Sequence, residues 1–322
     1  MSDGPAAVYA VGKPDEGKRL DLFLQERIPK LSRTRIQKAI KERTTLSWGV
    51  RARPSTPVRA GGEIRIAYRE LNETPLDITI PILARGEGWL CVDKPPGIPV
   101  HPVARVLENS VIRLLRRQLG DEDLNLCHRL DAETSGALLV ADNSETARHF
   151  SRAFFHDRVH KEYVAWVRGA VEADAGEINL PIGDATESAI HVRLVAKEGM
   201  EKPARTRWQV EERVGDRSRL RLFPESGRRH QLRVHLEAIG HPILGDPMYG
   251  HPDAHYLAMV AGEDPRRLAP PRRMLLHCAK MTLPNPSGGN DLHVTAPLPV
   301  AFEDPLEPSW PTNSPNTDPT PR

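Results

Sequence analysis

HRLDAETSG, His128 to Gly136, runs directly into the apolar stretch ALLVA at 137–141 and is preceded by a shorter apolar stretch beginning at Leu124. A charged turn clasped between two packing segments holds its side chains against a core. Asp131 lies at its centre, with Arg129 and His128 beside it. An opposite charge nearby favours the ionised form of a carboxylate, and a positioned carboxylate can serve as nucleophile or base. By itself an Arg-x-Asp is more often a structural ion pair, so the rest of the chain must decide.

The length of 322 residues suggests two domains. Apolar residues make up 39% and charged residues 27%, enough for a packed core. Aromatic content is only 5%, so contact with a nucleic acid would lean on Arg and Lys more than on stacking. The net charge of +2 conceals an uneven distribution: Lys18 to Arg53 carries eleven Lys or Arg against three Asp or Glu, a local balance of +8. A basic module on a mildly acidic body implies a polyanion partner. Cys91, Cys127 and Cys278 are far apart and give neither a metal-type pair nor a disulfide framework. The N-terminus lacks a basic start followed by an apolar stretch, so no signal peptide is expected. No apolar run reaches the roughly 18 residues of a membrane span. A reducing cytoplasm and no membrane partner are the expectation.

Residues 1–16 read as a loose leader and 17–70 as a small α/β module. Leu20, Leu24 and Ile28 recur at helical spacing over Lys18 to Ile28, with Pro29 as terminator. Ser32 is placed to cap SRTRIQKAIKE, whose apolar side is Ile36, Ala39 and Ile40. Arg33, Arg35, Lys38 and Lys41 then lie elsewhere on its surface. Short extended pieces follow near Thr44–Trp48 and Glu63–Tyr68, with a turn at Gly61-Gly62. Residues 71–84 read as a linker. From 85 to 303 strands and isolated helices interleave, which predicts an α+β domain with a mixed, largely antiparallel sheet flanked by helices. Helices are expected at NSVIRLLRRQL, with Asn109 as cap, and at SETARHFSRAFF, with Ser144 as cap. EYVAWV and SRLRLF read as strands. RHQLRVHLEAIG reads as a helix with Leu232, Leu236 and Ile239 on one side and Gly240 as its stop. The last nineteen residues, from Asp304, hold six prolines and predict a disordered tail.

HRLDAETSG closely resembles the catalytic signature of the RNA pseudouridine synthases that modify ribosomal and transfer RNA. Three further segments resemble that family in order. DKPPGIPVHP, Asp93 to Pro102, matches a rigid segment near the family's cleft. HKEYVAWVRG, His160 to Gly169, places Tyr163 32 residues after Asp131, a spacing the family shares. SGRRHQLRVHLEAIGHPILGDPMYG, Ser226 to Gly250, ends in the family's Gly-Asp-x-x-Tyr-Gly turn and starts with Ser226 where the family usually has Thr. RLDLFLQERIPKLSRTRIQKAIKE resembles the two helices of a small RNA-binding module first recognised in a ribosomal small-subunit protein. There Trp48-Gly49 replaces the usual Asn-Gly turn. With this module the resemblance covers about three-quarters of the chain.

The resemblance implies an isomerase that converts specific uridines of structured RNA, above all large-subunit ribosomal RNA, to pseudouridine. Asp131, Tyr163 and Arg233 would be catalytic: Asp131 promotes cleavage of the bond from base to sugar, Tyr163 supports the base, and Arg233 pairs with Asp131. Arg129, His128, Arg229, Arg33 and Lys38 would meet the substrate. Four residues apart on one helix, Arg229 and Arg233 would share a face. Cys127, His128, His230 and His235 lack zinc-site spacings, and neither a P-loop nor a G-x-G-x-x-G follows a strand, so neither a metal nor a nucleotide cofactor is expected. The expected state is a monomer. The rival readings are a non-catalytic RNA-binding protein, an enzyme acting on tRNA, and a hydrolase such as a nucleosidase that uses Asp131 with water.

Overall fold

A computed structural model describes residues 6–28, 32–67, 76–103, 106–261 and 273–303. The chain divides into two units, Met1–Asn72 and Glu73–Arg322. The Pro-rich tail from Asp304 and residues 71–75 of the expected linker lie outside the described residues.

In the first unit, β1 (Ala6–Ala10) pairs antiparallel with β3 (Glu63–Ala67), which also pairs with β2 (Thr44–Leu46). The expected leader is therefore structured from Ala6 onward. The pairing Val8 to Arg65 spans nearly the whole unit, so no local pattern announces it. Helices α1 (Leu20–Arg27) and α2 (Arg33–Arg43) cover the sheet. Leu20, Phe23, Leu24, Ile36 and Ile40 are buried with Ile64 and Val58. Ser32 is the N-cap of α2, but its side chain makes no capping hydrogen bond. Asp21, fully buried, does the fastening instead. It accepts hydrogen bonds from Arg19, from Arg33 at 3.2 Å and from Gln37 at 3.1 Å, and so ties α1 to α2. These donors hold its carboxyl well below the usual range against the effect of burial, Arg19 having the largest effect. Gly49, with φ +75°, makes the Trp48-Gly49 turn by donating to the Leu46 carbonyl at 3.0 Å.

The second unit carries ten strands in one sheet: β4 (Ile82–Gly86), β5 (Trp89–Lys94), β6 (Asn125–Leu126), β7 (Ser135–Ala141), β8 (His160–Arg168), β9 (Ala175–Asn179), β12 (Arg205–Val214), β13 (Arg217–Pro224), β14 (Leu276–Leu283) and β15 (Leu292–Thr295). Its order is β4-β5-β7-β14-β8-β13-β12-β9, with β6 on β7 and β15 on β14. Every pairing is antiparallel except β7 with β14. A separate hairpin joins β10 (Ile182–Asp184) and β11 (Leu194–Ala196). Helices α3 (Val111–Leu119), α4 (Ser144–Phe155), α5 (Gln231–Ala238) and α6 (Asp253–Ala261) complete the expected mixed architecture.

The apolar run after HRLDAETSG is β7, buried at all seven positions. A strand covered on both faces loses the polar–apolar alternation of a half-exposed one. Gly136, its second residue, has φ +105°, and a Cβ there would collide with the Cys278 backbone. Only glycine lets β7 and β14 approach this closely.

Residues 76–84 are not a linker. Ile80 is fully buried, and its backbone N–H and carbonyl are both bonded to the Gln118 side chain. Two of the expected caps shift by one residue. Ser110 occupies the N-cap position of α3 without a side-chain capping bond, while Asn109 accepts from the Leu76 N–H at 2.9 Å. Asn143 caps α4 by accepting from the Thr146 N–H at 2.8 Å. No described helix is long and apolar enough to cross a membrane.

Candidate active site

Asp131 lies in the turn entering β7, where the Thr134 N–H donates to its carbonyl at 3.2 Å. Its side chain is 16% exposed, so one face remains open. Arg233 reaches it from α5 across 102 residues of sequence, its Nη1 donating to Asp131 Oδ2 at 3.1 Å. Arg233 itself is buried, and a second carboxylate holds it. Asp246, fully buried, accepts from Arg233 Nε at 2.6 Å and Nη2 at 2.8 Å. Asp246 also accepts the N–H groups of Met248 and Tyr249, at 2.9 and 3.0 Å. Asp246 thus clamps the guanidinium along its Nε–Nη2 edge, and Nη1 is presented to Asp131. Burial works against its charge, but Asp246 and Asp131 outweigh that and raise its pKa. The Tyr249 ring lies 5.0 Å from the guanidinium carbon, and its hydroxyl is hydrogen-bonded to His230 Nδ1 at 2.9 Å.

The helix carrying Arg233 is buried from Gln231 through Leu236. Leu232 and Leu236 join the main core, while Val234 faces a second cluster with Met248 and Tyr249. The one-sided helix of the sequence reading is in fact wedged between two cores. Its N-terminus is set by His230, a non-glycine residue at φ +55°. That reversal places Arg229 before the helix, so it does not share a face with Arg233 as expected. Arg229 is exposed instead, 3.8 Å from Asp184. Ser226 retains a function for the hydroxyl at this position: it donates to Gln231 Oε1 at 2.8 Å, and Gln231 in turn binds the Arg205 carbonyl and Thr206.

Tyr163, on β8, is buried and lies opposite Cys278 in the pairing of β8 with β14. Burial first, then Cys278 and the charge of Asp131, push its phenol well above its ordinary pKa. The structure therefore brings Asp131, Arg233 and Tyr163 to one centre. Arg129 is exposed and makes no ion pair among the described residues. His128 turns inward: its Nε2 accepts from the Leu139 N–H at 3.0 Å, and its ring stacks on Phe154 at 4.5 Å. Burial pushes it down to about 3. A ring committed in this way supports the turn and has no free Nε2 for a substrate. In the first unit Arg33 is bound to Asp21, and Lys38 lies exposed 3.8 Å from Glu42. His235 bonds Thr206 and the Leu180 carbonyl.

Two further contributors, Asp246 and Lys94, lie in segments whose local sequence does not signal their role. Asp246 sits in GDPMYG, where its backbone turn was visible but its partner was not. Lys94, in DKPPG, is fully buried and donates to the carbonyls of Pro95, Ala132 and Thr134, each at 2.8 Å. It fastens the loop that immediately follows Asp131. Burial draws its amine down to about 7, with Glu133 and Asp131 acting in the other direction. Three carbonyl acceptors also need all three N–H groups of an ammonium.

Comparison with known proteins assigns this centre its class. The family described as RNA pseudouridylate synthase matches residues 88–238, the stretch holding Asp131, Tyr163 and Arg233. The chain belongs to the RNA pseudouridine synthases and is an isomerase. It is 31% identical over 305 residues to an uncharacterized RNA pseudouridine synthase of Chloroflexus aurantiacus, covering 92% of this chain and 91% of that one. It is 29% identical to ribosomal large subunit pseudouridine synthase C of Escherichia coli, covering 90% of this chain and 92% of that one. Human RNA pseudouridylate synthase domain containing 1 has a similar solved structure, with TM-score 0.58 and 32% identity over 72% of this chain and 89% of that one.

Proposed function

We propose that this enzyme isomerises specific uridines of large-subunit ribosomal RNA, with Asp131 as the reacting carboxylate. The observation that carries the reading is the open face of Asp131 on an arginine already neutralised and immobilised by Asp246. Such a pair orients a charged oxygen without collapsing onto it. The name of the Escherichia coli relative favours ribosomal over transfer RNA.

The target uridine leaves its stack, because the base must detach and rotate. Asp131 promotes cleavage of the bond from N1 to C1′ of the sugar. The bond's electron pair leaves with N1. The freed uracil turns, C5 bonds to C1′, and the proton on C5 is lost as N1 regains one. Tyr163 packs the base, and Arg129 holds the flipped nucleotide or fills its vacated place. Exposed Arg148, Arg152 and Arg158, which make no ion pair among the described residues, provide cations for the RNA backbone. Residues 17–70 act as an RNA-binding module, the open basic cleft of Arg19, Lys41, Arg51 and Arg53 offering a phosphate surface. The protein works as a cytoplasmic monomer.

The test is a pseudouridine map of ribosomal and transfer RNA from cells with and without the protein, repeated with Asp131→Asn. Loss of ribosomal sites in both deficient strains is expected. Loss confined to tRNA would move the substrate to tRNA, and an unchanged map would overturn the reading. Free uracil from purified protein would indicate the nucleosidase.

A further inference from the structure

Lys161 has no part in the chemistry described above, yet it lies within it. It precedes Tyr163 by two residues on β8, so the two side chains share a face. That face continues through Ala165 and Val167 into the main core. Three observations place the ammonium. Lys161 Nζ is 5.8 Å from the centre of the Phe154 ring, which stacks on His128. It is 3.7 Å from the position a Cβ would occupy on Gly227, at the start of the segment leading to Arg233. It also affects the titration of both His128 and Cys278, and Cys278 lies opposite Tyr163 in the pairing of β8 with β14. The ammonium thus sits between the segments that supply Asp131, Tyr163 and Arg233.

Apart from the Phe154 ring face, no described side chain holds it there. Among the described residues Lys161 makes no hydrogen bond and no ion pair. Its neighbours are an aromatic ring, a neutral imidazole and a protonated thiol, with exposed Asp157 contributing only at longer range. Burial draws its pKa down, and Cys278 and Asp157 act against that. A desolvated cation without a partner favours any negative charge that forms beside it far more than a solvated one does.

We propose that Lys161 is a further catalytic residue: its ammonium binds a carbonyl oxygen of the target uracil and stabilises the negative charge that appears as the bond to the sugar breaks. The inference rests on the isomerase reading above. When C1′–N1 cleaves, N1 keeps the electron pair and the charge spreads to O2 and O4. That charge is discharged when C5 bonds to C1′ and N1 is protonated, so Lys161 neither gains nor loses a proton overall. The base lies against Tyr163 in this reading, and Lys161 is the cation on the same strand face. Backbone phosphates are served by the exposed arginines; a half-buried amine behind an aromatic pair suits an oxygen inside the cleft.

The test compares Lys161→Met, Lys161→Gln and Lys161→Arg with the wild type, using a short RNA that the wild type modifies. Wild-type turnover of that RNA checks the isomerase reading separately. Single-turnover rate at saturating RNA and dissociation constant are measured for each. The expected result for Met and Gln is a rate lower by about 10²-fold, as for loss of one donor to a developing anion, with RNA affinity within about threefold. Arg should recover at least a tenth of the wild-type rate. Circular dichroism verifies the fold, and if the Met variant does not fold the Gln and Arg pair decides. Met and Gln variants within about threefold of the wild-type rate would overturn the proposal. So would a loss of affinity at unchanged rate, which would make Lys161 a phosphate anchor.

Discussion

Asp246→Asn isolates the feature that distinguishes this centre from a simple Asp–Arg pair. The substitution keeps the size and removes the charge. Asp246 is fully buried and Arg233 is 3% exposed, so solvent cannot replace the lost carboxylate. Two short bonds, at 2.6 and 2.8 Å, are disrupted, because an amide presents N–H to a guanidinium at one of its two positions. Breaking one partner of a buried pair costs about 3–5 kcal/mol. In a unit of this size each kcal/mol lowers Tm by about 2–4 °C, so a drop of roughly 6–20 °C is expected. Asp131→Asn makes the internal control. It removes one 3.1 Å bond at a partly exposed carboxylate and leaves Arg233 fully paired with Asp246, so its melting temperature should stay much closer to the wild type. Both variants should lose activity, the first because Arg233 is no longer aimed, the second because the reacting group is gone. Melting followed by circular dichroism and a single-turnover assay separate the two. An Asp246→Asn protein that melts within 2 °C of the wild type (a limit of about 1 kcal/mol), or above Asp131→Asn, would refute the clamp.

Lys94→Met should lower the single-turnover rate at least about tenfold with little change in RNA affinity, because each unsatisfied carbonyl of the loop after Asp131 costs about 1–3 kcal/mol; wild-type rate in this variant would show that the loop holds itself. Acid should destabilise the fold before carboxylates titrate. Burial depresses His128 to about 3 and His230 and His277 to about 4. Each stays neutral when folded and gains a proton on unfolding below pH ~6.5, so its contribution is complete above that pH and is lost as pH falls toward 4. Stability should therefore decline between pH 7 and pH 5 by on the order of 1–2 kcal/mol per histidine, and the melting temperature with it; a flat profile there would contradict their burial. Removing residues 1–72 should flatten the salt dependence of RNA binding by about 0.7–0.9 in log–log slope per lost phosphate contact, while turnover at saturating RNA persists; identical slopes would remove the first unit from the RNA interface.

The sequence by itself determined what depends on neighbours along the chain. The packing segment after HRLDAETSG, the helices of the first unit and the mixed sheet were legible because apolar runs, apolar periodicity and chain breakers act within a few residues. Asp131, Tyr163 and Arg233 were legible as motif positions. Tertiary structure decided the rest, because the deciding contacts join distant segments. Strand β1 exists only by pairing with β3, and Ile80 belongs to the core only because Gln118 satisfies its backbone. The left-handed His230 takes Arg229 off the helix, a conformation its residue type does not signal. Which charges are buried is likewise invisible in a string: Lys94 and Asp246 look like ordinary turn residues until sheet closure removes water from them. Desolvation then gives each an obligatory partner, and those partners, three carbonyls for Lys94 and one guanidinium for Asp246, hold Asp131 in place.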